Sequence, residues 1–481
     1  MKKNSLIINY LYNATYSLLN ILVPLITIPY VSRILSATGV GRVSSAQNVL
    51  SYFVMISSLG IPNYAIREIA KCCDNNQKIS TLFFELFSFN AISTTLATAG
   101  YFFFIQHSTA YANEKILLMI FSVTLILNVF NIDWLYRGLE NFKYITLRNF
   151  LIKILSLICI VAFVKKTTDI YIYAAILAVS TSVNYILNAI NARKIVSFKE
   201  ISQFSLKKHV TPILLMFATA VGVELYGQID ITMLTLMCGN TFVGYYSNSV
   251  KLTKMVVTLI AAVGGVLLPR LSGYKANANQ VQINELVSKV TEYVFFISVP
   301  AAIGLMALSP EIVIILFGKD FLPAISTLRI LSLLIPIMTI GNLYGTQVLM
   351  TYGKEKNLTI SILCGSILNI LLNSIMISWW KQDGAALASV LTEFCVMIIQ
   401  IAMSNAFIKV FLRKRAMFVT VIQSILVVLA VYILQTACTS SFAILLAGII
   451  LSVMVFLASG VVFKNEIQKE LMEKILSLFG L

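Results

Sequence analysis

Five basic residues fall within, or at the ends of, segments that are otherwise apolar enough to cross a membrane. Two of them, Lys251 and Lys254, lie one helical turn apart. A charge at the centre of a spanning helix costs on the order of 2.5–3.5 kcal/mol, and two like charges at this spacing repel each other. Because water or an anionic ligand best offsets this cost, we predict a cationic, anion-binding cavity. Its candidate residues are Arg33, Lys153, Lys251, Lys254 and Arg329.

A second interpretation applies to the same side chains, since long basic residues can reach the membrane surface or pair with acids. It applies most readily to Arg33 and Arg329, which lie toward the ends of their segments. It applies least readily to the three lysines, which lie deeper.

Asparagine and glutamine residues form polar stripes on the first two apolar segments. At 100° per residue, the polar residues of the first segment fall within about 60° of one another. Such a stripe faces protein or water rather than lipid. We therefore predict that these residues line the cavity, with hydrogen bonding between helices as the alternative. The candidates are Asn9, Asn13, Asn20, Gln47 and Asn48.

Three acidic residues lie deep enough in apolar segments to exchange an ion. A buried carboxyl group can have a raised pKa and can therefore load and release a proton. Glu224, Asp230 and Glu393 are the ion-coupling candidates, and each could instead be a fixed counter-ion to a lysine. By contrast, Asp133 and Arg137 are spaced i, i+4, which predicts a structural ion pair.

Membrane-spanning helices must position these side chains. The chain has 481 residues, of which 58% are hydrophobic and 12% charged, about half the charged fraction of a typical soluble domain. This composition excludes an ordinary soluble enzyme and a disordered chain. A span needs about 20 mostly apolar residues, which predicts an all-α integral membrane protein with about fourteen transmembrane helices. The predicted spans are 6–31, 43–61, 79–105, 115–136, 143–164, 170–191, 210–236, 243–268, 287–308, 324–350, 357–380, 384–408, 416–437 and 442–463.

Basic residues are distributed unevenly between the predicted loops. If the amino terminus is cytoplasmic, most of the 36 lysines and arginines lie on the cytoplasmic side. This asymmetry predicts that both termini are cytoplasmic. It also explains most of the net charge of +16 without nucleic acid as a partner. Trp134, Trp379 and Trp380 fall at span ends, where tryptophan anchors a helix at the membrane interface.

Short strings recur at nearly one offset. Residues 40–44 (VGRVS) resemble 243–247 (VGYYS), and Leu135-Tyr136 recurs as Leu343-Tyr344. These matches predict that spans 1–6 repeat as spans 7–12 in the same orientation, which is a transporter arrangement. The predicted domains are a six-helix lobe over 1–195, a second over 205–410, and spans 13 and 14 with a short cytoplasmic tail over 411–481.

Several kinds of chemistry are missing from the sequence. It contains no phosphate-binding loop of the type that hydrolyses ATP. Seven scattered cysteines and two histidines show no spacing typical of a metal site or a disulfide framework. The predicted outer loops are too short to hold a glycosyltransferase site. We therefore predict a protein that is not an enzyme and that has no cofactor, no metal and no catalytic residue.

An ordered set of strings resembles the polysaccharide transporter family, the Wzx-type oligosaccharide flippases. The strings are PYVSRIL at 29–35, LGIPNYAIRE at 59–68, DWLYRGLE at 133–140, QID at 228–230, VGYYS at 243–247, LPRLS at 268–272 and LFGKDF at 316–321. The resemblance implies the superfamily of lipid II flippases and multidrug exporters, with two six-helix lobes around a central cavity. Lipid II flippases have an arginine in a string similar to residues 32–35, which supports Arg33 as a diphosphate contact.

The resemblance implies an activity and a location. A protein of this family moves an undecaprenyl-diphosphate-linked oligosaccharide, an O-antigen or capsule unit, to the outer leaflet of the bacterial inner membrane by alternating access. Proton or sodium exchange at the three acids is a hypothesis for how the substrate is released. The implied partners are this lipid-linked substrate, membrane lipid, and the polymerase and chain-length regulator of the same glycan pathway.

Two alternative functions remain at this point. A multidrug or cation antiporter of the same superfamily should have an acidic cavity, because its substrates are cations. A membrane glycan polymerase belongs to a different class of protein. Its deletion should shorten the glycan chains without stopping export of single units.

Overall fold

The computed structural model describes residues 3–72, 75–197, 201, 204–265, 271, 273, 275 and 279–478, without the side chains of 3–21, 262–265 and 474–478. All regular elements in these ranges are helices, which confirms the all-α fold class. Eleven described helices are long and apolar enough to cross a membrane. This count does not establish fourteen spans, which remains a prediction.

The chain divides into two compact units, Met1–Gly244 and Tyr245–Leu481. The helices of the first unit are α1 (Lys3–Ser58), α2 (Ile61–Lys71), α3 (Asn76–His107), α4 (Lys115–Leu127), α5 (Asp133–Gly138), α6 (Phe142–Phe163), α7 (Ile170–Ala192) and α8 (Lys207–Met237). Helix α9 (Asn240–Gly265) contains the boundary.

The helices of the second unit are α10 (Gln280–Ala307), α11 (Ser309–Ile312), α12 (Ala324–Ser332), α13 (Leu334–Asn342), α14 (Glu355–Ser404), α15 (Lys414–Ala437), α16 (Ser441–Val462) and α17 (Glu466–Leu478). Two π-helical turns, Val313–Phe317 and Leu343–Leu349, follow α11 and α13. Helix α8 packs on α1 and α2 within the first unit. The predicted domain boundaries at 195–205 and 410–411 come from the predicted repeat, and they remain predictions. The compact units are a separate division of the chain.

Two predicted loops are single-residue kinks instead. Ser36 interrupts α1 with φ 62° and ψ 175°, and Lys381 interrupts α14 with φ 50° and ψ −125°. A non-glycine residue seldom adopts a positive φ. Both kinks lie inside predicted breaks between spans, Ser36 within 32–42 and Lys381 at the start of the polar run KQDG over 381–384. The predicted break between spans 1 and 2 over 32–42 is therefore wrong in extent, because helical residues flank Ser36 directly.

In each unit a buried glutamate accepts hydrogen bonds from residues near the start of a later helix, α8 in the first unit and α15 in the second. In the first unit, Glu85 of α3 accepts hydrogen bonds from Ser205 N at 2.7 Å and from His209 Nε2 at 2.8 Å. In the second, Glu292 of α10 accepts from Arg413 N at 2.6 Å and from its guanidinium. The side-chain hydrogen bond between the Arg413 guanidinium and the Glu292 carboxylate raises the pKa of that guanidinium above its ordinary value. We call this arrangement, a buried glutamate that accepts hydrogen bonds from residues near the start of a later helix, a glutamate clamp; the repeat of spans 1–6 as spans 7–12 stays a prediction.

The Glu292 clamp predicts a stability effect. Glu292→Ala removes a buried carboxylate that accepts three hydrogen bonds from Arg413, and it leaves Arg413 its contact with Glu470 at 3.1 Å. Hydrogen bonds to charged groups contribute about 1.5–3 kcal/mol each. We expect the thermal midpoint of the purified protein in detergent to fall by several degrees. Glu285→Ala is the matched control, because Glu285 is exposed on the same helix. Equal midpoints for the two variants would contradict a structural role for the clamp.

Two other expectations, the Asp133–Arg137 ion pair and the role of Trp134 as an interface anchor, are wrong. Asp133 pairs with Arg148 at 3.0 Å and accepts from Asn188 at 2.6 Å, whereas Arg137 is exposed. Helix α5 is only six residues long, so the i, i+4 spacing does not decide which partner is nearest.

Trp134 is 2% exposed in an apolar core with helices α2 and α3, so it does not anchor a membrane interface. Trp379 and Trp380 are exposed, as expected of anchors.

Candidate functional site

The strongest candidate site lies on one face of α9. This helix has 26 residues, so it is about 39 Å long at 1.5 Å per residue. Lys251 and Lys254 lie in its middle third, and both side chains are exposed. The opposite face is buried through Leu252, Thr253 and Ile260. The helix therefore packs against its unit through one face and presents two ammonium groups on the other.

The two ammonium groups have no carboxylate partner in the described part of the chain. All the ion pairs found there within 4.0 Å involve other basic residues. Thr258, on the same face of α9, bonds back to the Lys254 carbonyl at 2.7 Å and supplies no counter-charge. An exposed, unneutralised pair of lysines at mid-helix is chemically suited to bind an anion, since the ammonium group is a strong phosphate ligand.

The other predicted basic residues occupy separate places. Arg33 of α1 is exposed and Lys153 of α6 is half-buried, both in the first unit. Arg329 of α12 is exposed in the second unit, and its Nε donates to Ser309 at 3.0 Å. Among the described residues of the second unit, Arg329 thus has a side-chain hydrogen-bond partner, and none is found there for the two lysines.

Of the predicted polar-stripe residues, Gln47 and Asn48 have described side chains. Asn48 is buried and its amide donates to the Gln228 carbonyl at 2.8 Å, while Thr232 donates to its oxygen at 2.7 Å. These bonds join α1 to α8, so Asn48 serves the alternative role of a contact between helices. Gln47 is half-buried. The side chains of Asn9, Asn13 and Asn20 lie outside the described residues.

The ion-coupling candidates also differ in environment. Asp230 of α8 is 8% exposed, and Glu224 on the same helix is half-buried. Glu393 of α14 is half-buried in the second unit. Their role in ion coupling therefore stays a prediction.

Sequence reasoning missed a second polar feature of the second unit. The π-helical turn Leu343–Leu349 lies beside a cavity of about 110 Å³. Its lining residues are Ala261, Val294, Thr339, Asn342, Leu343, Thr346 and Gln347. The pattern Asn-x-x-x-Thr-Gln within an apolar run was the available signal, but a π-helical turn displaces it from the regular helical face.

In the described residues there is no cluster of His, Cys, Asp and Glu that could hold a metal ion. No disulfide bond joins the cysteines of the described residues, which exclude Cys73. The arrangement therefore offers anion binding and neutral hydrogen bonding.

Comparisons with known proteins give the family and the fold. The model of the polysaccharide biosynthesis protein family matches residues 6–275. A protein of Escherichia coli K12 assigned as an O-antigen transporter is 25% identical over 403 residues, which is 82% of this chain and 95% of that protein.

Two solved structures share the fold. A lipid II flippase MurJ in an inward closed conformation superposes with a TM-score of 0.75 at 16% identity, covering 96% of this chain and 99% of that one. An inward-facing multidrug resistance MATE transporter of the MOP superfamily gives a TM-score of 0.61 at 13% identity, covering 80% and 97%. Since the family model covers more than half of the sequence, this chain is a multi-pass membrane protein that belongs to the polysaccharide biosynthesis protein family.

Proposed function

We propose that this chain moves an undecaprenyl-diphosphate-linked oligosaccharide repeat unit from the cytoplasmic to the outer leaflet by alternating access. The observation that carries the proposal is the exposed Lys251–Lys254 pair at the middle of α9, without a carboxylate partner among the described residues. A diphosphate and its sugars cannot cross hydrocarbon unaided. Two ammonium groups at mid-depth replace part of the hydration of the diphosphate while the polyprenyl tail stays in lipid.

The similarities support the same substrate class. The Escherichia coli relative is assigned as an O-antigen transporter, and the fold is that of a lipid II flippase. One name gives the transport of O-antigen and the other the flipping of a lipid, and the proposed substrate combines the two. The basic face of α9 disfavours the cation antiporter, because like charges would repel a cationic substrate.

Further parts of the proposal concern coupling, partners and location. Release of the substrate requires reversible attraction, which proton or sodium exchange at Glu224, Asp230 or Glu393 would supply. The glycan leaves for the polymerase and chain-length regulator of the same pathway. The chain lies in the bacterial inner membrane with both termini in the cytoplasm.

Deletion in the source strain tests the function. We expect loss of surface glycan and accumulation of lipid-linked repeat units that an impermeant oxidant of sugars does not reach in spheroplasts. A polymerase would behave differently, because its deletion would leave single units on the outer surface. Surface glycan that persists at the normal level would contradict the proposal.

Reporter fusions test the topology. Fusions at Asn113, Thr167 and Ser441 should report the outer side, and fusions at Asn75 and Lys414 the cytoplasm, because basic loops stay inside. An alkaline phosphatase fusion and a fluorescent protein fusion at each site give opposite signals and control for expression. Reproducible inversion at two or more sites would contradict the proposed orientation.

A further inference from the structure

The neutral cavity of the second unit is built differently from the cationic face of α9. Its polar lining consists of amides and hydroxyl groups from Thr339, Asn342, Thr346 and Gln347, and none of its lining residues is charged. The remaining lining is aliphatic. Such a combination suits a ligand with hydroxyl groups on an apolar ring frame better than it suits an ion.

The π-helical turn that forms one wall of the cavity contacts helices α10 and α14. The Tyr344 hydroxyl lies 3.2 Å from Thr291 Oγ1, and Ser404 donates to the Tyr344 carbonyl at 3.4 Å. Gly345 packs so closely on α14 that a Cβ there would lie 2.6 Å from Gln400 Oε1. Single π-helical turns are rare and occur often at functional sites. These contacts fix the turn and leave Asn342, Thr346 and Gln347 on the side of the cavity.

One atom of this wall has an unmet hydrogen-bonding requirement. Gln347 Oε1 is buried, and the described residues provide no hydrogen-bond donor for it. Leaving a buried acceptor unpaired is costly, so such an atom calls for an explanation. A carbonyl oxygen accepts, and therefore its partner is a water molecule, a hydroxyl group or an N–H group of a ligand, or a cation. A divalent cation is disfavoured because Ca²⁺ and Mg²⁺ sites usually include one or more carboxylates, and no carboxylate lines this cavity.

Helix α9 connects the cavity to the lysine pair. Lys254, Thr258 and Ala261 are spaced i, i+4 and i+7, which places them on one helical face. Lys254 and Thr258 are exposed, and Ala261 lines the cavity. Seven residues of helix span about 10 Å. A short oligosaccharide attached to a diphosphate at Lys254 can cover this distance along the helix.

We infer that the cavity binds a sugar of the repeat unit, with Gln347 Oε1 accepting a hydrogen bond from a sugar hydroxyl group. Asn342 and Thr346 supply further neutral contacts. This inference rests on the proposed function, since it takes the sugar to be carried on the diphosphate that the lysines bind. It assigns specificity for the glycan to the second unit, whereas the lysines bind the part that all such substrates share.

Binding to the purified full-length chain tests the inference with two probes. One is undecaprenyl diphosphate, and the other is the undecaprenyl-diphosphate oligosaccharide extracted from source cells that lack this chain. We expect Gln347→Leu to weaken binding of the oligosaccharide probe at least tenfold and to leave undecaprenyl diphosphate unchanged. Gln282→Leu is the matched control at an exposed position, and both probes should bind it as they bind the unmodified chain.

Additional variants keep the test independent of folding. If Gln347→Leu does not elute as a single species, Thr346→Val and Asn342→Leu take its place with the same expectation. Replacement of sodium by choline forms a separate arm. If sodium alone stabilises the unmodified chain but not Gln347→Leu, the cavity is a cation site and the inference is wrong.

The two levels of the proposal fail differently. If the unmodified chain binds both probes equally, sugar recognition is contradicted while diphosphate binding stands. If it binds neither probe, the proposed function itself is contradicted, and the inference falls with it.

Discussion

Replacing Lys251 and Lys254 together with glutamate is expected to abolish surface glycan while the protein still inserts in the membrane. Two anions then face the diphosphate at mid-depth of α9 in place of two cations. Each charge-assisted hydrogen bond to a ligand is worth about 1.5–3 kcal/mol, so the loss of two corresponds to a fall in affinity of roughly a hundredfold or more. Surface polysaccharide in a complemented deletion strain, with the membrane level of the protein, is the measurement.

Graded variants separate charge from shape at the same two positions. Replacement of both lysines with arginine should retain partial function, because arginine also binds phosphate. A glutamine pair should fall between the arginine and glutamate pairs. If the lysines only reached toward the membrane surface, the glutamine pair would be nearly silent. Normal glycan from the glutamate pair at normal expression would contradict an anion site on α9.

Gly41→Ala, which adds one methyl group, is expected to destabilise the folded protein strongly. A Cβ at Gly41 would lie 1.7 Å from the Asn240 carbonyl oxygen, and one at Gly244 would lie 2.0 Å from the Ala37 carbonyl oxygen. The backbones of α1 and the start of α9 therefore touch, and Thr38 bonds to Thr241 beside them at 2.8 Å. Because the obstacle is backbone, no side-chain rotation relieves it.

We expect Gly41→Ala to cost about 1–3 kcal/mol and to lower the thermal midpoint of the purified protein by several degrees. Gly227→Ala is the matched control. Gly227 lies in α8 with nothing within 4 Å of its added Cβ, and alanine favours a helix over glycine. That variant should be neutral or slightly more stable. Equal midpoints for the two variants would show that the close approach of α1 and α9 does not exist.

The sequence was sufficient for the fold class because the bilayer constrains helices so strongly. Long apolar runs, broken by basic loops, predict spanning helices wherever the backbone must satisfy its own hydrogen bonds. The kinks at Ser36 and Lys381 lie inside breaks that this reasoning predicts, at 32–42 and 381–383. Hydropathy shows that a span ends there, but it does not show that the chain turns at a single residue.

The sequence predicts a candidate site residue where a charged side chain lies within an apolar segment. Lys251 and Lys254 were identified because two lysines inside an apolar segment need an explanation, and both prove exposed at mid-helix. Asn48 could not be assigned from its stripe, since a polar face serves a helix contact and a cavity equally well. Gln347 could not be singled out because it lies in a π-helical turn, which hydropathy does not predict; Gly345 of that turn packs closely against Gln400.

The most direct measurement of the central claim is leaflet exchange in proteoliposomes that contain the purified full-length chain and the extracted undecaprenyl-diphosphate oligosaccharide. An impermeant sugar oxidant consumes the outer-leaflet fraction, and flipping exposes the remainder. We predict that the unmodified chain makes nearly all of the probe accessible, while the Lys251→Glu, Lys254→Glu variant leaves the inner-leaflet fraction protected, as in vesicles without protein. Equal accessibility with the unmodified chain and the double variant would contradict the account.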